Sequence, residues 1–143
     1  ARDARITNIY EGTTQLQVVA AIRYVTNGSY LAQMREFETA QVSEAMQPLQ
    51  ARAKAMADKF AEAVEHVKAA ENQEMHDICA RHLVEMAADV IMLHLLMYNA
   101  TVQPEMFERS ARVYANFVEA EIAKHHAWVM HFDAAQLADY RQA

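Results

Sequence analysis

Residues 79–97 read CARHLVEMAADVIMLHLLM, and this stretch decides the fold class. Cys79, Leu83, Met86, Val90, Leu93 and Met97 follow one another at steps of four, three, four, three and four residues. That spacing returns to one side of an α-helix every turn and matches no strand period. Similar stripes stand on either side. Upstream, Leu49, Ala53, Met56, Phe60, Val64 and Val67 recur at threes and fours behind Pro48, which suits a first helical turn. Downstream, Pro104 opens a helix whose stripe is Phe107, Ala111, Tyr114, Val118, Ile122, Val129 and Phe132.

Between these stripes, Glu71-Asn72 reads as a turn and Asn99 to Gln103 as a loop. Asp133 reads as the cap of a short terminal helix ending near Gln142. A further helix of about 17 residues is expected from Ser29 as its cap, carrying Leu31, Met34, Phe37, Val42 and Met46. The fold expected is all-α. Residues 29–143 form an up-and-down four-helix bundle, with Phe60, Leu83, Met86, Val90, Tyr114 and Val118 in its core.

Composition agrees. The chain has 143 residues, 53% of them hydrophobic and 22% charged, which suits one folded domain. Two glycines and two prolines are too few for the turns of a β-sandwich or barrel. Thirteen basic against nineteen acidic residues leave a net charge of −6, which argues against nucleic acid and anionic lipid as partners. No run reaches the roughly 18 apolar residues of a spanning helix. The longest apolar stretch, Val90 to Tyr98, is interrupted by His94. With no secretory leader pattern and one cysteine, the expected location is the cytoplasm.

Seven histidines, at 66, 76, 82, 94, 125, 126 and 131, raise the question of a metal. No glutamate has a histidine three residues later, as a di-iron bundle needs, and no Cys-x-x-Cys or His-Glu-x-x-His occurs. His82 with Glu85, and Glu121 with His125, share helix faces, which reads as exposed hydrogen bonding. No metal is expected. Cys79 lies on the apolar stripe and reads as a buried, inert thiol. The nine methionines read mostly as core packing, and Trp128 as packing with its polar edge turned to water. No phosphate-binding glycine loop is present.

The first residues differ in kind. There is no initiating Met, and Ala1 to Ile6 reads as the interior of a helix, so the chain is expected to be a piece of a longer protein. Thr13 suits the cap of a helix from Thr14 to about Val25, apolar nearly all round, with Asn27-Gly28 as its stop. Gly12 permits close approach to the backbone, and free N–H groups after Thr13 suit an anionic ligand. Taken by themselves, these features also suit an ordinary helix-turn-helix joint.

Residues 2–17, RDARITNIYEGTTQLQ, resemble the C-terminal signature of the FAD-dependent acyl-CoA dehydrogenases. The likeness extends more loosely to about Val25. It implies that Glu11, before Gly-Thr, occupies the position of the catalytic base. It places Gly12 against the substrate, and Thr13, Thr14 and Gln15 against FAD. The resemblance implies acyl-CoA as substrate, an electron-transfer flavoprotein as redox partner, and assembly into a homo-oligomer. Residues 1–28 would then be the last helices of the catalytic helical domain. Residues 29–143 would be the helical domain that longer members append, in a bacterial-type enzyme. Two rivals stand beside this reading: a non-catalytic helical interaction module, and a membrane-surface bundle like that of some very-long-chain members. The net charge of −6 argues against the second.

Overall fold

The computed structural model describes residues 25–141, all helix and short connections. The helices are α1 (Ser29–Glu38), α2 (Gln47–Ala69), α3 (Gln73–Val102), α4 (Pro104–His131) and α5 (Leu137–Arg141). Single 3-10 turns, Glu44–Met46 and Ala134–Gln136, lead into α2 and α5.

The helices alternate in direction. Arg52 on α2 bonds Glu119 on α4, and His66 further along α2 reaches the Phe132 carbonyl just past the end of α4. These two helices therefore run parallel, with α3 returning between them. The α3–α4 seam is the most extensive, and α2 packs against both. α1 lies along α2 and α3, where Arg35 bonds Asp58 at 2.7 Å and Phe37 stacks on His94. One contiguous core fills the interior.

The three long stripes are buried as their spacing requires. All six stripe residues of α2 and all six of α3 lie in the core. On α4, Ala111, Val118, Ile122, Val129 and the adjoining Phe132 are buried, whereas Phe107 and Tyr114 are only half-buried at its edge. Tyr114 is thus a boundary residue and not the core residue expected. Six of the nine methionines are buried, which fits a core of unbranched, adaptable side chains.

Three boundaries differ from expectation, each for a local reason. α1 is 10 residues long and stops at Glu38. There the Thr39 hydroxyl bonds the Glu36 carbonyl, and the Gln50 side chain donates to the Ala40 carbonyl, so the exposed helix end finds partners. Val42 and Met46 still reach the core, through an extended segment and a 3-10 turn. Gly28, and not Ser29, precedes the helix in the left-handed conformation at φ 92°, while Asn27 Oδ1 accepts the Ser29 N–H. Finally, α3 runs through the expected loop to Val102, leaving Gln103 alone before Pro104.

Two turn assignments hold. Glu71 takes a positive φ of 48° in the α2–α3 joint, and Asn72 caps α3 by accepting the Met75 N–H. Asp133 caps the final turn, with Gln136 returning the bond to complete a capping box.

Candidate functional site

The residues singled out by the N-terminal signature, Glu11, Gly12, Thr13, Thr14 and Gln15, lie outside the described residues, as does the helix expected from Thr14. The described chain starts at the bundle wall. Val25 is buried in the core and the Thr26 hydroxyl lies 3.2 Å from His76 Nε2, so these two residues sit beside the start of α3.

Within the bundle, one polar cluster bridges the α3–α4 seam. His82 and His125 bring their Nδ1 atoms to 2.8 Å, and His125 Nε2 lies 3.1 Å from Glu85 and 3.7 Å from Glu121. A carboxylate only accepts, so the hydrogen of neutral His125 sits on Nε2 and its bare Nδ1 accepts from His82 Nδ1–H. Burial holds both rings below the ordinary histidine range; for His82 the neighbouring His125 adds to this. His125 is buried and not exposed as its shared face with Glu121 suggested, because Glu85 reaches it from the opposite helix. Trp128 stacks on His82 at 4.0 Å and on Phe132 at 5.0 Å, continuing the cluster toward Tyr140 on α5.

This arrangement fastens helices together. Among the described residues, no group of three or more His, Cys, Asp or Glu side chains is placed to hold a metal ion. Cys79 is buried, and burial pushes its thiol up to about 11, the inert state expected of it.

Two groups make stability depend on pH with opposite signs. Burial pushes His94 down to about 4, and its Nε2 has no partner among the described residues. A histidine held neutral in the fold contributes stability that is full above its unfolded value near 6.5 and is lost as pH falls toward 4. Burial pushes Asp89 up to about 6, so its contribution is full below pH 4 and is lost as pH rises through 6. Replacing His94 isolates one of them. His94→Phe should gain roughly 2 kcal/mol relative to wild type on going from pH 7 to pH 5, because it removes the penalty of the uncharged ring. Urea unfolding of both chains at the two pH values measures this.

One surface feature has no counterpart among the expected site residues. Met92, Leu95, Tyr98 and Val102 on α3, with Met106, Val113 and Phe117 on α4, are large, apolar and exposed. The signal in the sequence was the long apolar stretch from Val90 to Tyr98, but spacing alone did not say that α3 carries apolar side chains on both sides. By length and composition α3 could cross a membrane, yet 44% of its most apolar 18-residue window is buried inside the bundle.

The described residues thus define a helical packing domain, held by an apolar core and one part-buried histidine pair, and the comparisons name its kin. Residues 26–137 match the family described as acyl-CoA dehydrogenase C terminal. The bundle is also similar to the crystal structure of the acyl-CoA dehydrogenase family protein from Porphyromonas gingivalis. The two share 36% identity and a TM-score of 0.74, over 80% of this chain and 98% of that one. Among curated proteins, none matches. The chain belongs to the acyl-CoA dehydrogenase C-terminal domain family.

Proposed function

We propose that this chain is the C-terminal part of an FAD-dependent acyl-CoA dehydrogenase, working in the cytoplasm on an acyl-CoA and passing electrons to an electron-transfer flavoprotein. Residues 1–28 supply one wall of the reaction site, and residues 29–143 are an appended, non-catalytic bundle. The observation that carries this reading is the run Glu11-Gly12-Thr13-Thr14-Gln15 standing directly before a bundle of the acyl-CoA dehydrogenase C-terminal family.

In this reaction the α-carbon of the thioester gives up a proton and the β-carbon a hydride, leaving a trans-2-enoyl-CoA. Bound FAD supplies the hydride acceptor. Glu11 takes the α-proton on its carboxylate, for which it must be shielded from water so that its affinity for a proton rises. Gly12, lacking a Cβ, lets the substrate approach the backbone. Thr13, Thr14 and Gln15 offer hydroxyl, amide and backbone groups to the cofactor. The bundle brings none of these groups; its part-buried histidine pair is consumed in holding α3 to α4.

A direct consequence concerns the 143-residue chain alone. It should purify colourless and bind neither FAD nor acyl-CoA, since a single wall of a site cannot repay the ordering cost of binding. Absorbance near the flavin band and calorimetric titration with FAD check this. A stoichiometric bound flavin would mean that the cofactor site lies within this chain. The role of Glu11 itself is tested in the intact enzyme by removing its carboxylate and following flavin reduction.

A further inference from the structure

We propose that His82 and His125 form an acid-operated latch on the α3–α4 seam, which tolerates one added proton and is parted by a second, freeing Trp128. The latch belongs to the bundle alone and is independent of the flavin reading. Its basis is the 2.8 Å contact between the two Nδ1 atoms. With both rings neutral, His82 Nδ1–H donates to the bare Nδ1 of His125, and His125 Nε2–H faces Glu85 and Glu121. The first added proton has an open place on His82 Nε2, and the contact survives because Nδ1–H still donates. The second has only His125 Nδ1, the acceptor of that contact. Two N–H groups would then oppose each other with no lone pair between them, so the rings must separate.

Charge favours the same count. Arg81, Glu85 and Asp89 on α3, with Glu121 and Lys124 on α4, form the charged surroundings of the pair. Arg81 lies 3.5 Å from Glu85 and Lys124 2.8 Å from Glu121, so both carboxylates are already shared with a cation. Three carboxylates against two cations leave room for one positive charge on the rings, and a second is uncompensated. Asp89, pushed up to about 6 by burial, loses its charge over the same fall in pH. On α2, Glu62 pairs with His126 and His66 with the Phe132 carbonyl, so neither supplies compensation.

Burial sets the direction and the moving part. It holds both rings below the ordinary histidine value of 6.5, so the latch contributes fully above that pH and is lost as pH falls. His125 is buried, whereas His82 is half-buried and is the ring free to leave. His82 covers Trp128, with centroids 4.0 Å apart at 21°, and Trp128 packs in turn on Phe132 and on Tyr140 of α5. Its departure uncovers the one tryptophan of the chain and loosens the stack beside α5.

Acid titration of the 143-residue chain from about pH 8 to about pH 4 tests the latch, following Trp128 fluorescence, far-ultraviolet circular dichroism and histidine NMR. Emission should first fall without shifting, as an imidazolium quenches the indole it stacks on. At lower pH it should shift to the red as the ring departs, with helix content unchanged. NMR should resolve the two steps of the pair, at least ~1 pH unit apart. His125→Gln keeps an acceptor for His82 and a donor for Glu85 but takes no proton, so it should retain the quenching and lose the red shift. His82→Phe keeps a ring on Trp128 without a nitrogen and should abolish both steps. His94→Phe removes the other low-titrating ring and should leave both in place. A wild type whose red shift arrives only with loss of helix, or whose emission does not change across the titration, overturns the latch. So does a red shift retained in His125→Gln, or either step retained in His82→Phe. The first two outcomes are read on wild type and need no variant to fold.

Discussion

Leu83→Ala lowers the unfolding free energy of the 143-residue chain by roughly 2–5 kcal/mol. Leu83 is fully buried at the centre of the α3 stripe, one turn from Cys79 and from Met86, both fully buried as well. Truncation loses the transfer free energy of the side chain. It also leaves a cavity between long helices whose backbones have little freedom to collapse. Leu95→Ala is the internal comparison, because Leu95 lies on the same helix but is 42% exposed. Its effect on the monomer should stay below about 1 kcal/mol. Urea unfolding of dilute samples reads both. A cost below about 0.5 kcal/mol at Leu83 would show that the buried face of α3 is a different one.

The three long helices were legible because their apolar residues repeat with the helical period over about five to seven turns. Such a stripe has one solution. What escaped the sequence was decided by partners far away along the chain. Asn99 to Gln103 looks like a loop, since Asn and Thr favour turns. In the fold, the Thr101 hydroxyl donates back to the Met97 carbonyl and accepts the Ser43 N–H, a contact 58 residues distant that lets the helix run on. α1 was over-extended for the converse reason: Val42 and Met46 keep the spacing of a helix, but Gln50 captures the Ala40 carbonyl and the chain turns.

The polar interior shows the same limit. Glu121 and His125 stand one turn apart, and that spacing correctly places them together. It could not announce His82 and Glu85 arriving from α3 to bury the ring. Likewise, a stretch such as Val90–Tyr98 declares its apolarity but not how many sides are covered. The candidate reaction residues are the reverse case. Glu11 to Gln15 were singled out through resemblance to a family signature, not through periodicity or packing, and they lie outside the described residues.

Glu11→Gln in the intact enzyme is the measurement that tests the account most directly. Glutamine keeps the size of the side chain and its capacity to hydrogen-bond, but it cannot take a proton. FAD content and acyl-CoA affinity should therefore remain near wild type while turnover falls on the order of 10²–10⁴-fold or more, the usual worth of a positioned general base. A Glu11 with only a structural part would give the opposite pattern, with altered stability and turnover per bound flavin within a few-fold of wild type. Stopped-flow absorbance separates the two, mixing enzyme with saturating acyl-CoA and following the oxidised flavin band. Bleaching slowed by at least 100-fold in Glu11→Gln, with flavin fully bound, is the result this account requires. Bleaching at the wild-type rate would contradict it.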